Sequence, residues 1–313
     1  MEGIVELFHS QSKDSTVRIN IYADEVQCRK CPYTNDDWFY IGIIVENIAN
    51  ELLPEIINLR YCHNFDKTSK YFLKNDRIVH WVDVASNDTR NICNRWLEFI
   101  LDHSKSEKHF YAYILGINDS KLNKDEFGDK QEFNSKYNRF FRTAVLYAIK
   151  CFFPKRKIIV ENIFHEQGQQ QDHDYFPWHC IYKLDNNDEN IICKCNGVTF
   201  IPKSHRDCIR SNIIQLCDLF LGVSTTALHG LIDSSAAKYK AELVKMFVPL
   251  LKRMVENPKN VNSSHNYANR IMISFFPREK TNLGDVRRFG NQFYTNRKIR
   301  YIDQLSGQLS LFG

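Results

Sequence analysis

Three acidic side chains stand where an ionised carboxylate is expensive. Asp24 ends the stretch VRINIYAD (17–24), whose Val17, Ile19, Ile21 and Ala23 share one face of a strand. Glu161 interrupts the β-branched run IIVENIF (158–164), and Asp218 lies in SNIIQLCDLFLGV (211–223), where Gln215 and Asp218 are almost the only polar side chains. Helical spacing of three puts Gln215 and Asp218 on the same face. An acid in such surroundings needs a hydrogen-bond donor, a cation or a raised pKa. If a sheet gathers all three, they repel one another unless divalent ions neutralise them, and hard oxygen ligands suit Mg²⁺ or Mn²⁺. Each acid also has a purely structural reading: a turn cap for Asp24, an ion pair with Arg156 or Lys157 for Glu161, and a backbone hydrogen bond for Asp218.

Two further sets carry reactive side chains. His165, Asp172 and His173 follow the Glu161 strand and could serve as a general base or metal ligand, or stand solvated in a polar loop. Among ten cysteines, Cys28 with Cys31 and Cys193 with Cys195 form close pairs. Four thiolates can close a tetrahedral zinc site, but C-K-C departs from the usual knuckle spacing, and ordinary reduced thiols are the plainer expectation.

These residues need elements to position them. The alternating stretch from Val17 predicts a first strand, and WFYIGIIV (38–45) an antiparallel partner apolar on both faces. A short helix is expected over 50–60, a strand over 77–84, a helix after Asp88 as N-cap, and a strand over 110–117 closed by Asn118-Asp119-Ser120. The apolar stripe from Phe133 to Phe152 predicts a long helix stopped by Pro154. Then come the Glu161 strand, a hairpin-like piece NIICKCNGVTFI (190–201), and the helix from Ser211. Strands alternating with helices after an opening hairpin imply a mixed α/β sheet covered by helices. One more amphipathic helix carries Ala241, Val244, Phe247 and Leu251, with Pro249 inside it.

The expected organisation is a lead-in over 1–16, an α/β domain over 17–235, a helical and basic extension over 236–303, and a flexible tail over 304–313. In 313 residues, 42 Lys and Arg against 37 Asp and Glu give a net charge of +5, too mild to name a partner until the charge clusters. It does cluster late: Arg287, Arg288, Arg297, Lys298 and Arg300 interleave with Phe289, Phe293, Tyr294 and Tyr301. Such a mixture suits phosphates and stacked bases, or a solvated rim whose aromatics complete the core. The start MEGIVELFHS has no basic flank before an apolar core, and no run approaches the ~20 apolar residues of a membrane span. A cytoplasmic protein without membrane attachment is the expectation.

The strand ending IYADE (21–25), followed far downstream by VTFIPKS (198–204) and IIQLCDLFLG (213–222), resembles the uncharacterised family catalogued as "domain of unknown function 3800". The resemblance spans roughly 17–223. It departs at Val26-Gln27, where small residues are usual, and at Lys203, where an Asp is common. It implies a ribonuclease H-like fold, with acids from the first strand, a neighbouring strand and the last helix around two metals. Position by position, it implies Asp24 and Asp218, with Glu161 or Asp119 on the intervening strand, and Glu25 and Gln215 in support. The implied activity is phosphodiester hydrolysis by a two-metal mechanism, acting on nucleic acid, DNA before RNA. A catalytically silent binding or regulatory module of the same fold is the alternative. The last residues, Gln308-Leu309-Ser310-Leu311-Phe312, resemble the pentapeptide by which bacterial repair proteins and polymerases dock on the sliding clamp.

Overall fold

The structure is a computed structural model that describes residues 16–32, 34–61, 77–106, 108–122, 133–154, 156–168, 170–172, 184, 188–229, 237–256, 270–277, 294–295, 300–303 and 308–311. Its strands are β1 (Val17–Lys30), β2 (Asp37–Asn47), β3 (Tyr111–Asn118), β4 (Ile158–Glu166), β5 (Ile191–Cys193), β6 (Val198–Ile201), β7 (Ile271–Phe276), β8 (Tyr294–Thr295), β9 (Arg300–Asp303) and β10 (Gln308–Leu311). Its helices are α1 (Leu53–Arg60), α2 (Asn87–Leu101), the short α3 (His103–Ser106), α4 (Phe133–Phe152), α5 (Ser211–His229) and α6 (Ala237–Glu256).

One eight-stranded sheet runs β5-β4-β1-β2-β3-β7-β8, with β6 also paired to β4. The first three strands are antiparallel, whereas β4 runs parallel to β1, with β5 and β6 parallel to β4. Alternation along the strands sorts the core into two layers. Ile19, Ile21 and Ala23 meet α4 through Tyr137, Phe141, Val145 and Ile149. On the other face, Tyr22, Tyr40 and Ile44 meet α1, α2, α5 and α6 through Ile56, Trp96, Phe220 and Phe247. The fold is therefore a mixed α/β sheet with helices on both sides.

Four local expectations are corrected. The first strand does not end at Asp24 but continues to Lys30 against β2. Residues 77–84 form no strand; they run into a single 3₁₀ turn at Trp81–Asp83. The N–H groups of Val79 and Trp81 that a ladder would need are taken instead by Gln215 Oε1 (2.9 Å) and Asp218 Oδ2 (2.5 Å). The stretch 190–201 is no hairpin. β5 pairs with Ile158–Val160 and β6 with Ile163–Glu166, each taking half of the same edge of β4. The cap of α2 is Ser86, whose hydroxyl accepts from the Thr89 N–H, and not Asp88.

Two glycines let the layers close around the site. A Cβ on Gly42 would lie 2.6 Å from Leu221, and one on Gly222 would lie 2.1 Å from Trp81. Gly42 is also the register partner of Asp24. Its missing side chain therefore sets how closely α5, and Asp218 with it, approaches the first strand. Helix α5 is the one helix among the described residues long and apolar enough to cross a membrane, and that apolar length is wholly buried inside the protein.

Candidate active site

Parallel pairing of β1 with β4 reaches Ala23 opposite His165, so the next residues of the two strands, Asp24 and Glu166, stand side by side where that pairing ends. Asp218 approaches from α5 on the same face. Glu25 follows Asp24 with the opposite facing required by strand alternation. Together these four carboxylates line a cavity of about 480 Å³, with Arg29, His80 and Lys203 around them.

The polar contacts are specific. Asp24 Oδ1 accepts from the Glu25 N–H at 2.9 Å. Beyond its bond from Trp81, Asp218 has His80 Nε2 at 3.9 Å from Oδ1. Glu166 Oε1 lies 3.1 Å from Lys203 Nζ. Gln215 fastens the surroundings: its Oε1 accepts from Arg60 and Val79, and its Nε2 donates to the Lys203 carbonyl at 2.8 Å. One side chain of α5 thus ties the 77–80 segment and the Lys203 loop to the helix bearing Asp218.

Beneath the cavity, His165 Nδ1 is 2.8 Å from the Glu166 carbonyl, which can only accept, so the proton sits on Nδ1. Nε2 then accepts from the Tyr137 hydroxyl at 2.6 Å and has no proton for Glu25 Oε2, 3.4 Å away. Burial holds this imidazole neutral, with its pKa lowered to about 4. The Glu25 Oε2 atom is left buried without a hydrogen-bond donor among the described residues.

Electrostatics follow from the crowding. Burial, then the charges of Asp218, Glu166 and Glu25, push the Asp24 carboxyl well above the usual range. Burial also raises Asp218, against the opposing pull of His80, the Trp81 N–H and Lys203. Glu25 is raised to about 7 by burial and by Glu166, with Lys203 opposing. Strand β1 adds a cation through an irregularity: Val26 pairs with Tyr40, but Arg29 already pairs with Trp38. The extra residue reverses the alternation, bringing Arg29 onto the cavity side.

Among the sequence-derived candidates, Asp24, Glu25 and Asp218 meet at the cavity, with His165 beneath it and Gln215 beside it. Glu161 does not join them. The β1–β4 register slips between Ile19 and Asn20, leaving Glu161 as the unpaired residue of a β-bulge. Its carboxylate turns outward to Arg18 Nε at 2.7 Å and Lys194 Nζ at 3.3 Å, and the Arg18 hydrogen bond lowers its pKa. Asp119 likewise sits apart, 2.6 Å from Lys136 Nζ. His173, Arg287, Arg288, Arg297, Lys298, Phe312 and the side chain of Arg300 lie outside the described residues. Gln308, Leu309, Ser310 and Leu311 form a backbone ladder with Arg300–Asp303; their side chains also lie outside the described set.

The two cysteine pairs do not form one zinc site. Cys193 registers with Val160, and Val160 with Ile19. Cys31 lies just past the far end of β1, on the order of 40 Å away at ~3.3 Å per strand residue. Cys193 and Cys195 keep their own company, with sulfurs 3.3 Å apart.

Glu166, His80, Arg29 and Lys203 are the site residues that sequence reasoning missed, Lys203 having stood out only as a departure from the resemblance. Glu166 was the most accessible of them. Extending the β4 strand two residues past Phe164 and setting it parallel to β1 with His165 opposite Ala23 would have placed it beside Asp24.

Among the described residues, no three His, Cys, Asp or Glu side chains converge closely enough to hold a metal ion as they stand. The chemistry of the donor set nevertheless suits a hard divalent cation: the acids are all oxygen donors, crowded and buried, and one oxygen lacks any donor. No protein-family model matches the chain, and no curated protein matches it.

Proposed function

We propose that the protein is a divalent-metal-dependent phosphodiester hydrolase, a nuclease on a ribonuclease H-like sheet. The observation that carries this reading is the meeting of Asp24, Glu166 and Asp218 in one cavity, each from a different element: the first strand, the adjoining parallel strand and the buried helix. Three antiparallel strands continued by parallel strands beyond β1 suit that architecture.

Asp24 and Asp218 are the residues that would hold Mg²⁺ or Mn²⁺, with Glu166 beside them against Lys203. Such an ion lowers the pKa of an attacking water and stabilises charge on a departing phosphodiester oxygen. Gln215 and the Trp81 N–H fix the orientation of Asp218 and its surroundings. Arg29, also lining the cavity, would meet a phosphate oxygen. The closing peptide Gln308–Phe312 would bring the enzyme to DNA through the bacterial sliding clamp, supplying effective concentration and no chemistry.

The test is incubation of the wild-type chain with mixed DNA and RNA in Mn²⁺ or Mg²⁺, beside Asp24→Asn and Asp218→Asn. Changing partners of metal ligands costs about 10- to 100-fold, so changing a ligand should cost at least as much. Equal cleavage by all three proteins would remove the assigned centre. The absence of a closed three-ligand set among the described residues favours a catalytically silent binding module of the same fold. That module predicts nucleic-acid binding with no metal-dependent cleavage by any of the three.

A further inference from the structure

Lys203 belongs to the acid cluster more closely than a rim lysine would. Its ammonium lies 3.1 Å from Glu166 Oε1, and its main chain is tied through Gln215 to the helix that carries Asp218. Its positive charge reaches both Asp218 and Glu25, opposing the rise in their pKa values. Arg29 is brought to the same cavity by the β1 irregularity and feels the charge of Asp218.

The cavity sets four carboxyl groups against two fixed cations, Arg29 and Lys203, so the acids outnumber the bases by two, the formal charge of one divalent ion. A second divalent ion would have to displace the ammonium from Glu166 or sit beside it, and like charges at that separation oppose each other strongly in a partly buried site. The occupied Glu166 oxygen also gives a physical reason why three acids do not close around one point among the described residues.

We infer that Lys203 is the built-in second cation of the centre, so that the chain takes one divalent ion, between Asp24 and Asp218, where a two-metal site would take two. This rests on the metal-centre reading given above. Lys203 is a positioning and charge-supplying residue, holding Glu166 in place of a metal.

The experiment is a count of Mn²⁺ bound per chain, by calorimetry and by the electron paramagnetic resonance of free Mn²⁺, on the full-length protein without nucleic acid. The wild type should bind one ion. Lys203→Met should bind a second, or bind the first at least tenfold more tightly, while Lys203→Arg should behave as the wild type. Lys203→Gln substitutes if the methionine variant does not fold. Two ions in the wild type, or an unchanged count and affinity in both uncharged variants, would overturn the role of Lys203 and leave the metal centre standing. No ion in the wild type or in any variant would remove the metal centre, and this inference with it.

Discussion

Replacing Glu25 with Gln should stabilise the metal-free protein, and the gain should depend on pH. In the fold, Glu25 is raised from 4.5 to about 7 by burial and by Glu166. Between those two values the folded chain holds a proton that the unfolded chain has lost. Stability therefore falls as pH rises through this window; the cost is absent below 4.5 and complete above 7. A displacement of that size costs about 3 kcal/mol once the group is ionised. An isosteric amide removes the cost. At about 2.1 cal/mol/K of unfolding entropy per residue, 3 kcal/mol is worth about 5 °C in a chain of this length. The assay is thermal unfolding of both proteins in chelator at pH 4.5 and pH 8. His165 and His229, each lowered to about 4 by burial, titrate in both proteins and largely cancel in the difference. Glu25→Gln should match the wild type at the lower pH and exceed it by about 5 °C at the higher. Equal melting temperatures at both pH values, or a less stable variant at pH 8, would show that the cluster is not under the charge stress described.

Other consequences follow from the same geometry. Gly42→Ala places a Cβ 2.6 Å from Leu221, so chemical denaturation should show a loss of about 1–3 kcal/mol, with weaker Mn²⁺ binding because α5 is pushed from β1. Glu161→Gln breaks only an exposed ion pair with Arg18 and Lys194; the melting temperature should barely change and cleavage should be untouched, and a large loss of cleavage would return Glu161 to the site. Deleting 308–313 should abolish co-purification with a bacterial sliding clamp while leaving cleavage of free DNA intact; clamp binding that survives the deletion would discard the peptide's role.

The sheet was legible in the sequence because its inner strands alternate cleanly or are apolar throughout, and α4 and α5 because their stripes are long. The acids Asp24 and Asp218 were legible because each is costly where it stands. Glu161 misled for the same reason: cost was judged on the assumption of regular alternation, and a one-residue bulge turned that side chain out to Arg18. Bulges leave no mark in composition, and the second one, before Arg29, concealed a cation in the same way. The segment 77–84 looked like a strand because its apolar residues are real, but its backbone donors are claimed by side chains from α5 more than a hundred residues away. Glu166 became visible only when two strands were set in register, a relation between segments that neither segment carries alone.

The most direct measurement is anomalous diffraction from crystals of the protein equilibrated with millimolar Mn²⁺. The metal centre proposed here predicts one anomalous peak within ligand distance, about 2.0–2.4 Å, of carboxylate oxygens from Asp24 and Asp218, with Lys203 still against Glu166. A cavity without a peak at that concentration, or manganese bound only elsewhere on the protein, would contradict it.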